Sequence, residues 1–152
     1  MCLILHKSTK PQIATEDIIC YKEILLIDIS NTPGIPLYKY YSIFNTTYQW
    51  TLNQIHETEI VGNTRTDYDL CWCDLSYDIL NADIISRYDD GEEHYDDYIS
   101  YSKGFHTATD IILHDNLFGH SVIAKCIIPK GATYYHSLIE YVSNKLIITE
   151  IL

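Results

Sequence analysis

Apolar residues along the chain fall mainly in short runs rich in isoleucine and tyrosine, two residue types that favour strands over helices. Strands are predicted at these runs and wherever apolar and polar residues alternate, with turns at Pro- and Gly-containing clusters such as Ser30–Pro36 and Pro129–Ala132. The predicted strands are Asp17–Asp28, Leu37–Phe44, Tyr48–Leu52, His56–Val61 (closed by Gly62–Asn63), Tyr68–Leu75, Tyr98–Tyr101, Ser121–Ile128, Thr133–His136 and Asn144–Leu152.

Two helices are predicted, the first from a change of period and the second from its end signals. Ser76 can cap a helix in which Tyr77, Leu80, Ile84 and Tyr88 recur at steps of three and four. A second helix is predicted near Asp110–Leu117, capped by Thr107 or Thr109 and stopped by Gly119. A chain of 152 residues is long enough for one core. The expected fold is therefore a single α+β domain over residues 1–152, with a mainly antiparallel sheet, two short helices and an acidic loop.

Charge is concentrated in one segment. The chain has 10 Lys and Arg against 21 Asp and Glu, for a net charge of −11. Eleven of the acids lie between Asp67 and Asp97, where only Arg87 opposes them, so this acidic segment carries −10. A field of this sign repels phosphate backbones and argues against direct nucleic-acid binding. It suits a basic partner surface, although a solvated face that only keeps the protein soluble has the same composition.

Cysteine usage and the N-terminus favour the cytoplasm of a bacterial host. The five cysteines show no zinc-finger or disulfide-framework spacing. No signal peptide is recognisable at Met1–Lys10, and no apolar run approaches the roughly 18 residues of a membrane span. Free, mostly buried thiols in a reducing compartment are expected.

The last fifty residues carry a resemblance. The phrase Gly104-Phe105-His106-Thr107, followed later by Cys126-Ile127-Ile128-Pro129-Lys130-Gly131, resembles short uncharacterised proteins of gut bacteria and their tailed phages. The early Tyr21-Lys22 pair and the closing phrase Ser143–Ile148 fit the same group. The resemblance covers Asp17–Glu23 and Lys103–Leu152, leaves out the acidic segment, and implies a phage or mobile-element protein without implying any chemistry.

A second similarity concerns the order of residues along the chain. Tyr21 on an early strand, Thr107 in the middle and Glu140 near the last strand are similar to the layout of the ADP-ribosyltransferase-like fold. The S-T-S and E-x-E phrases of that fold are not found here. The similarity implies transferase chemistry only by analogy of fold.

Histidine and cysteine are the remaining residues with chemical potential. His106 can contact a ligand or transfer a proton, or it can be a structural histidine bonded to a backbone carbonyl. The spacing of His106, His114 and His120 does not suit a helical zinc pair. We interpret Cys71 and Cys73 as buried small residues. Cys2 is interpreted as a strand residue rather than an N-terminal nucleophile. We expect no metal, no cofactor and no phosphate-binding loop.

Two functional hypotheses follow. The first is a non-enzymatic phage or mobile-element accessory protein that binds a basic host or defence protein through an acidic, tyrosine-rich face. The alternative is a small-molecule pocket of nucleotide type around His106, acting as a ligand sponge or as an ADP-ribosyltransferase-like enzyme. The residues of the first site are Tyr88, Asp89, Asp90, Glu92, Glu93, Tyr95, Asp96 and Asp97. Those of the second are Tyr21, Lys22, His106, Thr107, Lys130 and Glu140.

Overall fold

Strands form nearly all of the regular structure. The computed structural model describes residues 3–43, 47–64, 98–111 and 121–152. Its strands are β1 (Leu3–His6), β2 (Gln12–Ile13), β3 (Ile18–Asp28), β4 (Tyr38–Ser42), β5 (Gln49–Trp50), β6 (Ile55–Glu57), β7 (Val61–Thr64), β8 (Tyr98–Lys103), β9 (Phe105–Ala108), β10 (Ser121–Ile128), β11 (Thr133–His136), β12 (Glu140–Ser143) and β13 (Lys145–Ile151).

The predicted α+β class is wrong, because the fold is β-rich: of the residues that the structure describes, 60% lie in strands and 1% are helical. Thr107, one of the two proposed helix caps, lies inside β9. Thr109, the other, donates its hydroxyl to the carbonyl of Leu138 and its N–H to that of Ile139. The predicted helix from Ser76 and the predicted strand Tyr68–Leu75 lie outside the described residues, as does nearly all of Asp110–Leu117.

Most predicted strands are confirmed with small changes at their ends. Asp17–Asp28 corresponds to β3, Ser121–Ile128 to β10, and Asn144–Leu152 to β13. Gly62–Asn63, expected to close a strand, instead lies inside β7. The strands β2, β9 and β12 were not predicted, and β1 was anticipated only through the interpretation of Cys2 as a strand residue.

A sheet of ten strands forms the body of the fold. Its order is β2-β11-β12-β9-β3-β10-β13-β6, and β4 joins through β3 and carries β5 on its other edge. Each pairing among the described strands is antiparallel. The long strand β3 pairs with β10 over eight residues, from Ile18↔Ile128 to Leu25↔Ser121. These two strands position the residues discussed below.

The inner face of this sheet carries the main core. Alternate residues of β3 and β10 point to this face, as the two-residue period of a strand requires. Burial of this apolar area is the main favourable term in folding, at roughly 25 cal/mol per Å². The core contains Ala14, Cys20, Ile24, Trp50, Phe105, Ala124, Cys126, Ile128, Ala132, Leu146 and Ile148.

A second, three-stranded sheet of order β1-β8-β7 contributes to a smaller core. Leu3 and Tyr101 from this sheet pack with Val142 of β12, and the rings of Tyr101 and Tyr135 stack at 4.3 Å. The smaller sheet therefore packs near β11 and β12 against the face of the large sheet that points away from the main core. In the described ranges, no helix is long and apolar enough to span a membrane.

Candidate functional site

The site lies where β3 changes partners along one edge. Tyr21 of β3 is paired with Ala108 of β9, whereas the pairing of β3 with β4 begins at Ile24↔Ser42. Because β10 occupies the other edge of β3 throughout this stretch, β9 and β4 share the same edge. Lys22 thus stands at the interruption between the two ladders.

The Lys22 side chain bridges this interruption. Its ammonium group donates a hydrogen bond of 2.7 Å to the backbone carbonyl of His106 and lies 5.8 Å from the centre of the Trp50 ring. Burial lowers the pKa of Lys22 below its usual value, against the attraction of Cys126, Glu140 and Cys20. The lysine therefore takes the place of a ladder donor for a backbone carbonyl.

His106 and Glu140 form the closest side-chain pair of the site. Val142, not Glu140, is the direct partner of His106 in the β9–β12 ladder, so Glu140 approaches the imidazole diagonally. Glu140 Oε1 lies 2.7 Å from His106 Nδ1, and the side chains are 8% and 18% exposed. A carboxyl group at this distance fixes the imidazole ring and, where it is ionised, places a proton on Nδ1.

Three buried polar atoms at the site stand without a hydrogen-bond partner in the described part of the chain. They are Trp50 Nε1, His106 Nε2 and Thr107 Oγ1. Buried polar groups are nearly always hydrogen-bonded, and leaving one unsatisfied costs about 1–3 kcal/mol. Of these atoms, His106 Nε2 belongs to the ring that contacts Glu140, and it indicates a place beside that pair where a further polar group belongs.

The structure brings together most of the predicted pocket but divides it between two faces. Tyr21, His106 and Glu140 lie on the face that the smaller core covers in part, since Tyr21 and Glu140 both stand opposite Ala108. Lys22 and Thr107 are their neighbours along the strands and point to the inner face. Burial of the Cys20 thiol raises its pKa to about 11, and the adjacent Thr107 hydroxyl opposes this effect. From the inner face, Lys22 contacts the residues of the opposite face by donating a hydrogen bond to the backbone carbonyl of His106.

Lys130 lies apart from this arrangement. It is exposed in the turn between β10 and β11, and its backbone N–H donates to the Asp17 side chain at 2.9 Å. Of the positions similar to the ADP-ribosyltransferase layout, Tyr21 and Glu140 share a face whereas Thr107 points to the other. The three therefore do not converge as a single triad.

The residues predicted to bind a partner lie outside the described part of the chain, as do Cys2, Cys71, Cys73, His114 and His120. Within the described ranges, no group of three potential ligands is arranged to hold a metal ion. The partner-binding residues concerned are Tyr88, Asp89, Asp90, Glu92, Glu93, Tyr95, Asp96 and Asp97.

Sequence reasoning missed three residues of the site. Trp50 contributes its ring to the surroundings of Lys22, and Cys20 and its ladder partner Cys126 belong to the main core on the face to which Lys22 points. The spacing of Cys20 and Lys22 places both on one strand face, which the sequence alone could have shown. The approach of Cys126 depends on the β3–β10 register and leaves no local signal. A separate open cleft of about 420 Å³ lies between Asp28 and Pro36, away from these residues.

Comparison with protein-family models, with curated proteins and with solved structures gives no match.

Proposed function

We propose that the protein binds a small polar ligand of nucleotide type through His106 and Glu140. The supporting observation is the imidazole itself, since Nδ1 contacts Glu140 whereas the buried Nε2 has no partner among the described residues. A buried ring nitrogen without a partner favours a ligand group that supplies the missing hydrogen bond. The resemblance to short phage and bacterial proteins is compatible with a ligand sponge.

The chemistry of the pair supports this ligand class. With the proton on Nδ1, a neutral imidazole offers Nε2 as an acceptor for a hydroxyl or amino group. A protonated imidazole instead donates from Nε2 to a phosphate oxygen. Nucleotides carry all of these groups. The His106 side chain is 18% exposed whereas its Nε2 atom is buried, so a ligand that bonds to Nε2 must displace neighbouring side chains.

Thermal denaturation in the presence of nucleotides tests the proposal. A ligand at a hundredfold excess over its dissociation constant is expected to stabilise the protein by about 2.7 kcal/mol. The panel consists of mononucleotides, cyclic dinucleotides and NAD. His106→Ala should abolish the stabilisation. His136→Ala is the matched control, because His136 is exposed on β11 of the same sheet and should leave the stabilisation unchanged. Equal stabilisation of both variants, or none with any nucleotide, contradicts the proposal.

Chromatography of the same mixtures separates binding from turnover. A ligand sponge returns the nucleotide intact, which is the expected result. Release of nicotinamide from NAD instead indicates ADP-ribosyl transfer, the enzymatic form of the hypothesis.

A second candidate function is binding of a basic host or defence protein by the acidic segment. It is favoured by the charge distribution, because residues 67–97 carry −10 of the net charge of −11. Contacts of this kind weaken as salt shortens the Debye length toward roughly 8 Å. A pull-down from host lysate should lose the captured protein when the six acids between Asp89 and Asp97 are replaced by their amides. Capture that survives this replacement contradicts the second candidate.

A further inference from the structure

Cys20 and Cys126 stand directly opposite each other in the ladder between β3 and β10. Both are fully buried and unlinked. Directly opposed residues of antiparallel strands have Cα atoms about 4.5 or 5.5 Å apart, and disulfides span about 4.4–6.8 Å between Cα atoms. Directly opposed residues generally have Cβ atoms about 4.5–5.5 Å apart, so a disulfide at this position requires the two Cβ atoms to approach by roughly 1 Å.

We propose that Cys20 and Cys126 are an oxidative modification site, at which a hydroperoxide converts the two thiols into a cross-strand disulfide. The proposal rests on the register and burial of the pair, and it stands independently of the nucleotide site.

The surroundings assign different roles to the two sulfurs. Burial raises the pKa of the Cys20 thiol to about 11, and the Thr107 hydroxyl and the Lys22 charge oppose this rise. For Cys126, burial and the neighbouring Cys20 raise the pKa further, and Lys22 alone opposes the shift. Since the thiolate is the nucleophile, Cys20 is the first sulfur to react and Cys126 resolves the intermediate.

The reaction balances with hydrogen peroxide as the oxidant. The Cys20 sulfur attacks one peroxide oxygen, the O–O bond breaks, and the departing hydroxide combines with the former thiol proton as water. Cys20 is thereby oxidised to a sulfenic acid. The Cys126 sulfur then attacks the Cys20 sulfur, the S–O bond breaks, and the hydroxyl leaves with the Cys126 proton as a second water. Two thiols and one peroxide give one disulfide and two waters.

The crosslink has a defined consequence for the fold. It ties β3 to β10 and closes a loop from Cys20 to Cys126, and long closed loops restrict the unfolded chain most. The melting temperature should rise by roughly 5–15 °C on oxidation. Because the Cβ atoms must be drawn together, the disulfide should be strained and readily reduced by dithiothreitol. Complete burial of both sulfurs predicts slow oxidation.

The test uses the full chain with Cys2, Cys71 and Cys73 replaced by serine. After treatment with hydrogen peroxide, intact mass should show the loss of two hydrogens, and proteolysis without reductant should yield one linked peptide containing Cys20 and Cys126. The melting temperature should rise and return to its original value with dithiothreitol. Adding Cys126→Ser should replace the crosslink by oxygen addition at Cys20.

Each other outcome overturns the proposal. An unchanged mass after treatment shows that the dithiol is inert. Oxygen addition to both sulfurs without a crosslink shows that they cannot meet, and a crosslinked dimer shows that the pairing is intermolecular. If the variant that lacks Cys2, Cys71 and Cys73 fails to fold, peptide mapping of the unsubstituted chain shows whether Cys20 and Cys126 become linked. None of these results depends on nucleotide binding, so the two proposals fail separately.

Discussion

Gly104, which joins β8 to β9, allows a sharp test of how the site is held in place. Its φ is +141°, a backbone region that side-chain-bearing residues rarely adopt, and a Cβ added there lies 2.5 Å from Val142 Cγ1. Val142 is fully buried and is the ladder partner of His106. Gly104→Ala therefore strains the backbone and pushes directly on the strand that carries Glu140.

The two costs can be separated with a matched control. Backbone strain of this kind costs about 1–3 kcal/mol, and overpacking a filled core costs a further 1–3 kcal/mol or so. Gly131 also has a positive φ, +88°, but a Cβ there meets nothing within 4 Å. Gly131→Ala should lose about 1–2 kcal/mol from the backbone alone. Gly104→Ala should lose about 2–6 kcal/mol, at least 1 kcal/mol more than the control.

Urea denaturation followed by tryptophan fluorescence measures both losses. A second substitution tests the assigned contact, because Val142→Ala removes Cγ1. The double variant Gly104→Ala, Val142→Ala should therefore be more stable than the sum of the two single losses predicts. The reasoning is refuted if Gly104→Ala costs no more than Gly131→Ala, or if the two substitutions at Gly104 and Val142 are simply additive.

Three further predictions concern the charges of the protein. A double-mutant cycle of His106→Ala and Glu140→Gln, measured by urea denaturation, should give a coupling energy of about 1.5–3 kcal/mol, and additivity contradicts the pairing. The lowered pKa of Lys22 means that its amine binds fewer protons in the folded state, so the contribution of Lys22 to stability should rise with pH between that pKa and about 10.5, whereas the raised pKa of Cys20 gives an opposite contribution over the alkaline part of this range. Lys22→Met should remove this rise and Lys125→Met should keep it, as pH-dependent melting curves can show. Replacing Asp89–Asp97 by a short Gly/Ser linker should leave the melting temperature unchanged or slightly raised, since loop length costs little; loss of cooperative unfolding would show that these acids are structural.

Strand positions could be predicted from the sequence because isoleucine and tyrosine are concentrated in them. The face that each residue occupies was harder to predict in β3, where Ile18, Ile19, Ile24 and Leu25 make both faces apolar. Ile19 is 53% exposed and Ile24 is fully buried, a difference that depends on which strands pack nearby. The helices of the predicted α+β class depended mainly on a three- and four-residue spacing of apolar residues. This spacing is an ambiguous signal in short apolar segments.

The sequence predicted which residues belong to the candidate site better than it predicted the sheet face that each of them occupies. Grouping Tyr21 with Lys22, and His106 with Thr107, places neighbours of a strand on one face, which the two-residue period does not allow. Knowing that Phe105–Ala108 forms a strand would have separated these residues. The approach of Glu140 to His106 requires the β9–β12 register, which joins residues 34 positions apart and leaves no trace in local sequence.

Lys22 connects the two faces of the candidate site. Its ammonium group comes from the inner face, yet it holds the carbonyl of the residue whose imidazole points to the other face. This contact is possible because β9 separates from β3 beyond Tyr21, before β4 begins to pair at Ile24. A continuous ladder at this edge would offer backbone donors to that carbonyl, and the energetic cost of partly burying a lysine would then have no compensation. The interruption of the ladder therefore gives the half-buried lysine its acceptor, and His106 is positioned where the two meet.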